Sequence, residues 1–271
     1  MAKRVIIAIM DGVRPDAIAA CDHPFFQQLK KESTYCMTGR TVSPPRAFPA
    51  HISMFTSVSP EQHGILTNDI RPFPQEYASL MQILREAGKQ TAAVVIWEQV
   101  CSVGRPEDIN RLDFCDGLAL ENLTPEQARE VQAQWAARAA DIIRREEFDL
   151  LFFQYEMADT VGHSSGWMSS EYLDAVRFTA ESMQLLYDAR REEDQFILLS
   201  DHGGHGFDHF DPEAPADMTI PIFCAGSCFP RGIEQTGWSL LDIAPTVCAC
   251  LDVEQQPQFE GKILPIMEEI S

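Results

Sequence analysis

Gln195-Phe196-Ile197-Leu198-Leu199-Ser200-Asp201-His202-Gly203-Gly204 is a short apolar run that stops at a carboxylate, an imidazole and two glycines. Strands buried on both faces of a parallel sheet read as unbroken apolar runs of this kind, not as alternating ones. Outward from it, four further runs share the character: Arg4–Met10, Thr91–Trp97, Asp149–Tyr155 and Pro221–Ala225. Longer amphipathic stretches separate them, and their spacing predicts helices over Pro24–Lys31, Pro49–Ser57, Tyr77–Ala87, Ser170–Arg190 and Leu240–Leu251. Thr124-Pro125-Glu126-Gln127 reads as a capping box with proline at the first helical position, opening a helix that continues to about Glu147. This alternation implies an α/β fold, a mostly parallel central sheet with helices on both faces.

A chain of 271 residues, 45% hydrophobic and 23% charged, is long enough for one sizeable core. Residues 1–271 are read as a single domain, with a small insertion over the sheet edge at 98–123, where charge, Gly and Pro concentrate. Forty-one acidic against 21 basic residues give a net charge of -20, which repels polynucleotides and anionic membrane surfaces. Neither nucleic acid nor a membrane is therefore an expected partner, and most of the acidic excess is a solvated surface. Lys3 and Arg4 precede only the short apolar run Val5–Met10, with no cleavage-site pattern after it, so a cytoplasmic location is expected. Cys224/Cys228 and Cys248/Cys250 lack the paired CxxC spacing of a structural zinc site and are read, with the other cysteines, as buried free thiols. Oligomeric state leaves no sequence signal.

Three of the strands lead to aspartates: Val5–Met10 into Asp11, Leu150–Tyr155 towards Asp159, and Phe196–Ser200 into Asp201. In an open parallel sheet those carboxyl ends share one edge, where ligands bind. Three anions gathered without compensation cost on the order of several kcal/mol, so raised pKa values or bound cations are expected. Nearby histidines favour cations. Asp159 and His163 lie four apart in a glycine-containing loop, His202 follows Asp201, and His205 and His209 lie just beyond. Mixed imidazole and carboxylate ligands suit Zn2+, with Mn2+ as the alternative and calcium disfavoured. His51 and His63 are read as structural, His205 as a supporting residue and His23 as a surface residue at a helix start.

Taken in order, these motifs resemble the alkaline phosphatase superfamily, most closely its nucleotide pyrophosphatase/phosphodiesterase branch. The resemblance covers nearly the whole chain. It is carried by Ile-Met-Asp-Gly-Val-Arg at 9–14, Phe-Pro-Ala-His at 48–51, Ser-Pro-Glu-Gln-His-Gly-Ile at 59–65, Asp-Thr-Val-Gly-His-Ser-Ser-Gly at 159–166, Asp-His-Gly-Gly at 201–204 and Leu-Leu-Asp-Ile-Ala-Pro-Thr at 240–246. It implies an alkaline-phosphatase-like fold and two divalent metal ions, one bound by Asp159, His163 and His209 and the other by Asp11, Asp201 and His202. His209 is preferred to His205 because it precedes the Asp-Met-Thr-Ile-Pro strand entry at 217–221, as the family's histidine does. Asn68 matches a family asparagine that donates to a phosphoryl oxygen.

The family's nucleophilic Thr or Ser is replaced by Ala47, which can neither attack phosphorus nor bridge a metal. Three explanations stand: an engineered substitution, a natural protein without the nucleophile, or direct attack by water. Thr41 and Ser43 lie too far upstream to take its place. The resemblance implies a hydrolase of small phosphorylated molecules, with phosphodiesters or nucleotide pyrophosphates ahead of monoesters and sulfate esters disfavoured. The rival reading is a catalytically inactive, metal-containing protein that binds a phosphorylated ligand.

Overall fold

The structure, a computed structural model, describes residues 3–95, 100–114 and 124–267. β1 (Val5–Met10) lies between β5 (Leu150–Tyr155) and β6 (Gln195–Leu199), both parallel to it. β3 (Thr91–Val95) continues in parallel beyond β5, and β4 (Arg111–Phe114) edges that side. On the other side β7 (Thr219–Ala225) runs antiparallel to both β6 and β2 (Ser33–Arg40), and the short β8 (Ile233–Glu234) completes the order β4-β3-β5-β1-β6-β7-β2-β8. The mostly parallel sheet expected from the apolar runs is present, with β7 as the reversed strand.

Period-two alternation sends Ile6, Ala8 and Met10 of β1 to one layer and Val5, Ile7 and Ile9 to the other. The first layer packs under α1 (Pro15–Cys21), α2 (Pro24–Glu32), α7 (Pro125–Arg145), α8 (Met157–Ser165) and α9 (Ser170–Ala189). The second packs under α3 (Ala47–Thr56), α5 (Leu80–Glu86), α6 (Val100–Val103) and α11 (Ile243–Cys250). The short α4 (Pro60–His63) follows α3, and α10 (Pro215–Met218) leads into β7. Each fully buried Phe or Leu in these layers contributes roughly 1.5–3 kcal/mol.

Local chemistry sets the helix ends. Thr124 Oγ1 accepts from Gln127 N while Gln127 Oε1 accepts from Thr124 N, at 3.3 and 2.9 Å, the capping box expected from the sequence. The helix predicted over Tyr77–Ala87 starts later, because Ser79 Oγ caps it by accepting from Gln82 N at 3.1 Å. The helix predicted from Leu240 opens as a 3-10 turn, Leu240–Asp242, capped by Ser239, and becomes α-helical at Ile243. β2 escaped the sequence reading because it is mixed rather than apolar, and its outward positions stay partly exposed near the sheet edge. Residues 96–97 of the predicted third strand, and residues 98–99 and 115–123 of the predicted insertion, lie outside the described residues. The described part of that segment adds β4 to the sheet edge.

Candidate metal centre

β1 ends one residue before Asp11 and β6 two before Asp201, so both carboxylates emerge at the same edge of the sheet. Asp159 does not sit in the expected loop. It lies in the first turn of α8, and His163 one turn later on the same face. Gly162, which suggested a loop, is a packing residue: a Cβ there would stand 2.6 Å from the Trp167 indole. His209 lies in the irregular stretch between β6 and α10.

All six residues meet. His202 Nε2 lies 3.3 Å from Asp11 Oδ1, 3.5 Å from Asp201 Oδ2 and 3.9 Å from Asp159 Oδ1. His209 Nε2 is 3.9 Å from Asp159 Oδ1, and His163 Nε2 is 3.6 Å from Asp159 Oδ2. Two sets of ligand atoms gather within 4.8 Å of one another: Asp11, Asp201 and His202, and Asp159, His202 and His209. His202 belongs to both, and its ring stacks on that of His209 with centroids 3.7 Å apart. His163 stands just outside the second set, against the other oxygen of Asp159.

Hydrogen bonds behind these groups determine which atoms face inward. Nδ1 of His163, His202 and His209 lies 2.9, 2.8 and 2.7 Å from the carbonyl oxygens of Phe207, Gly203 and Pro45. A carbonyl oxygen only accepts, so each Nδ1 carries the proton, and the lone pair of a neutral ring sits on Nε2. The carboxylates are held in the same one-sided way. Gln154 Nε2 donates to Asp11 Oδ2 at 3.2 Å and Gly12 N to Asp201 Oδ1 at 3.3 Å. Asp11 Oδ1, Asp159 Oδ1, Asp201 Oδ2 and His202 Nε2 are left buried without hydrogen-bond partners. Buried polar atoms rarely go unpaired, and four converging on one volume form a donor set that could hold a cation.

The electrostatics agree. Burial, and then the neighbouring Asp201 charge, push Asp11 up to about 7. Burial likewise pushes Asp201 up to about 7 and Asp159 well above the usual carboxylate range. Burial holds His202 below its ordinary value and, with His202 alongside, brings His209 down to about 2. Protons alone thus leave this pocket poorly compensated, whereas a cation stabilises every carboxylate at once.

Ala47 is the first residue of α3, at the edge of this pocket and 6% exposed. The helix expected from Pro49 begins two residues earlier, which places the α3 amides beside the site. Asn68 Oδ1 accepts from Phe48 N at 3.1 Å, leaving its amide nitrogen as the donor group. Thr41 Oγ1 donates to the Asp201 carbonyl, so that hydroxyl is committed to the backbone. His51 sits behind Asp201, with Nε2 3.7 Å from Asp201 Oδ2. His63 pairs with Ser53 Oγ at 2.9 Å, His205 Nδ1 with Asp217 Oδ1 at 2.7 Å, and His23 caps α2.

Sequence reasoning missed Gln154 and Glu156. Gln154 is the one polar residue of β5, Leu-Leu-Phe-Phe-Gln-Tyr, a signal that was there to be read. Glu156 follows that strand at the same edge, and burial together with the Asp11 charge pushes it up to about 8. Trp167 and Tyr172 were also missed. Trp167 Nε1 and Tyr172 OH both donate to Gly12 O, at 3.0 and 2.8 Å, and pin the turn after Asp11.

The family profile described as type I phosphodiesterase / nucleotide pyrophosphatase matches residues 5–213. Human ectonucleotide pyrophosphatase/phosphodiesterase family member 1 is 29% identical over 199 residues, covering 66% of this chain and 21% of that protein. The chain thus spans about a fifth of that relative's length. Human ectonucleotide pyrophosphatase / phosphodiesterase 5 superposes with a TM-score of 0.79 at 15% identity, over 96% of this chain and 97% of that one. The murine counterpart, described as inactive and in complex with AMP, gives a TM-score of 0.78 at 14% identity, over 94% and 96% of the two chains. At such identities the superpositions show a shared fold.

Proposed function

Because the chain belongs to the type I phosphodiesterase / nucleotide pyrophosphatase family, we propose that it holds two divalent cations, zinc ahead of manganese, and acts on phosphate esters of small molecules. Phosphodiesters and nucleotide pyrophosphates rank ahead of monoesters. Asp159, His163 and His209 hold one cation, and Asp11, Asp201 and His202 the other. The observation that carries this reading is the convergence of four buried ligand atoms without hydrogen-bond partners. Bound there, the cations supply Lewis-acid neutralisation of charge on the phosphoryl oxygens.

The chain's own residues orient the ester. At the start of α3 the Ala47 amide, with the positive end of the helix dipole, faces the phosphoryl oxygens; Phe48 N is held by Asn68, Pro49 has no N–H and Ala50 N bonds to Arg46 O. Asn68, its Oδ1 fixed by Phe48 N, turns its NH2 group towards the same oxygens. His163, His202 and His209 keep their Nδ1 protons on backbone carbonyls and present Nε2 inward.

Ala47 removes the attacking hydroxyl, and that residue favours a second reading, a metal-containing protein that binds a phosphorylated small molecule without turning it over. The murine relative described as inactive is in complex with AMP, so loss of turnover and retention of a nucleotide are compatible in this fold. The test compares this chain with Ala47→Thr, both zinc-loaded, on aryl phosphate mono- and diesters. We expect the Thr variant to gain at least about a hundredfold in rate, equivalent to roughly 2.7 kcal/mol of barrier. Metal present with no hydrolysis by either form would favour the binding protein.

A further inference from the structure

Trp167 follows α8, is 6% exposed, and meets every segment that delivers a proposed metal ligand. Its Nε1 donates at 3.0 Å to the carbonyl of Gly12, in the turn after Asp11. The fused edge of the ring, Cδ2 and Cε2, lies against Gly162, between Asp159 and His163, and against Gly204, two residues after His202. A Cβ at those glycines would stand only 2.6 and 2.2 Å from the ring, so the indole occupies the space of both missing side chains. It is also edge-on to the imidazoles of His163 and His209, with centroids 5.0 and 5.8 Å apart. Its backbone N donates at 2.8 Å to Gly206 O, in the stretch that leads to His209.

None of these contacts is made by an atom that binds a cation. An indole N–H only donates, and this one is given to a backbone carbonyl. What the ring does is set the spacing of the segments that carry the ligands. Neighbouring divalent cations repel, so a second binds more weakly than a first unless it meets ligands already in place. A cation that gathers one ligand segment presses it onto a rigid, close-packed ring, and the other segments lose freedom before the second cation arrives. His202 belongs to both ligand sets, and the ring packs against the glycine stretch that follows it, so order passes between the sets through the backbone as well as through the shared imidazole.

We propose that Trp167 is a positioning residue that couples the two cation positions, so that a cation at either one orders the ligands of the other. The inference rests on the metal-centre reading above.

The experiment is calorimetric titration of the metal-free chain with zinc. The parent should take up two equivalents in one transition. Trp167→Phe keeps an aromatic ring but loses the N–H and the fused edge, and its uptake should split into two steps at least about tenfold apart in affinity. The control is Trp238→Phe, which alters an equally buried indole in the other layer of the core and should leave the single transition within about twofold of the parent. A single transition retained in Trp167→Phe overturns the proposal, as does an equal split in Trp238→Phe, the sign of general loosening. A second measurement needs no change at 167: the parent carrying 5-fluorotryptophan, its four fluorine resonances assigned by elimination with Phe at 97, 135 and 238. At one equivalent of zinc the Trp167 resonance should show only the free and the fully loaded states, and a distinct third signal overturns the coupling. A parent that takes up no zinc is a separate outcome, in which the metal-centre reading itself fails and the role of Trp167 with it.

Discussion

Asp11 shows how a single side chain is prepared for a cation: Gln154 holds one carboxylate oxygen at 3.2 Å and the other points unpaired at His202. Outer partners of this kind fix ligand orientation, and their loss costs about 10–100-fold in metal affinity. Gln154→Leu, apolar and of similar size, should therefore keep the fold and weaken zinc binding by that factor. Chelator competition measures it, and unchanged affinity would show that Gln154 merely fills the strand. The carboxylates and histidines were legible in the sequence because each stood where an apolar run broke off. Gln154 was hidden inside such a run, where an isolated polar residue was absorbed into the strand. Ala47 was legible as a missing hydroxyl, but only the structure shows that Thr41, the nearest threonine upstream, has its hydroxyl on the Asp201 carbonyl.

The elements were read unevenly, and the reason is tertiary packing. Strands β1, β5 and β6 announce themselves because both faces are buried. The sequence reads as a loop at α8 because Gly162 lowers helix propensity, yet the glycine is there to admit the Trp167 indole, a contact between residues that propensity does not register. The same indole presses on the Asp-His-Gly-Gly stretch after β6. A Cβ at Gly204 would stand 2.2 Å from Trp167, and one at Gly203 1.9 Å from Ala216 O. The backbone of this stretch is locked to the segment before β7, Gly203 N donating to Asp217 O at 2.8 Å and Gly204 N to Ala216 O at 3.0 Å. Neither side can retreat without losing those bonds. Gly203→Ala should destabilise the chain by about 2–4 kcal/mol in urea unfolding, because the obstruction is backbone rather than a flexible side chain. A change below about 0.5 kcal/mol, the range of an ordinary surface substitution, would mean that the stretch is looser than drawn.

For the molecule as a whole, the buried carboxylates of the site are a source of instability that the proposed cations would remove. In the metal-free chain Asp11 and Asp201 are each raised from 3.8 to about 7, chiefly by burial. Between those values the folded chain binds more protons than the unfolded one, so stability falls as pH rises from about 4 to about 7. A cation bound as proposed would reverse the sign, since it would bind the ionised carboxylates and compete with the protons. Thermal melts should thus show the chelator-treated chain losing stability across that window and the zinc-loaded chain gaining it. Parallel pH profiles for the two forms would contradict this. Among the described residues no helix is long and apolar enough to cross a membrane.

Zinc content after reconstitution and exhaustive dialysis, measured by atomic emission for the parent and for Asp201→Ala, tests the metal centre most directly. The parent should retain about two equivalents, the number a paired site holds, and the variant distinctly fewer. A parent that keeps no metal, or an Asp201→Ala chain as fully loaded as the parent, would contradict the assignment of these six side chains.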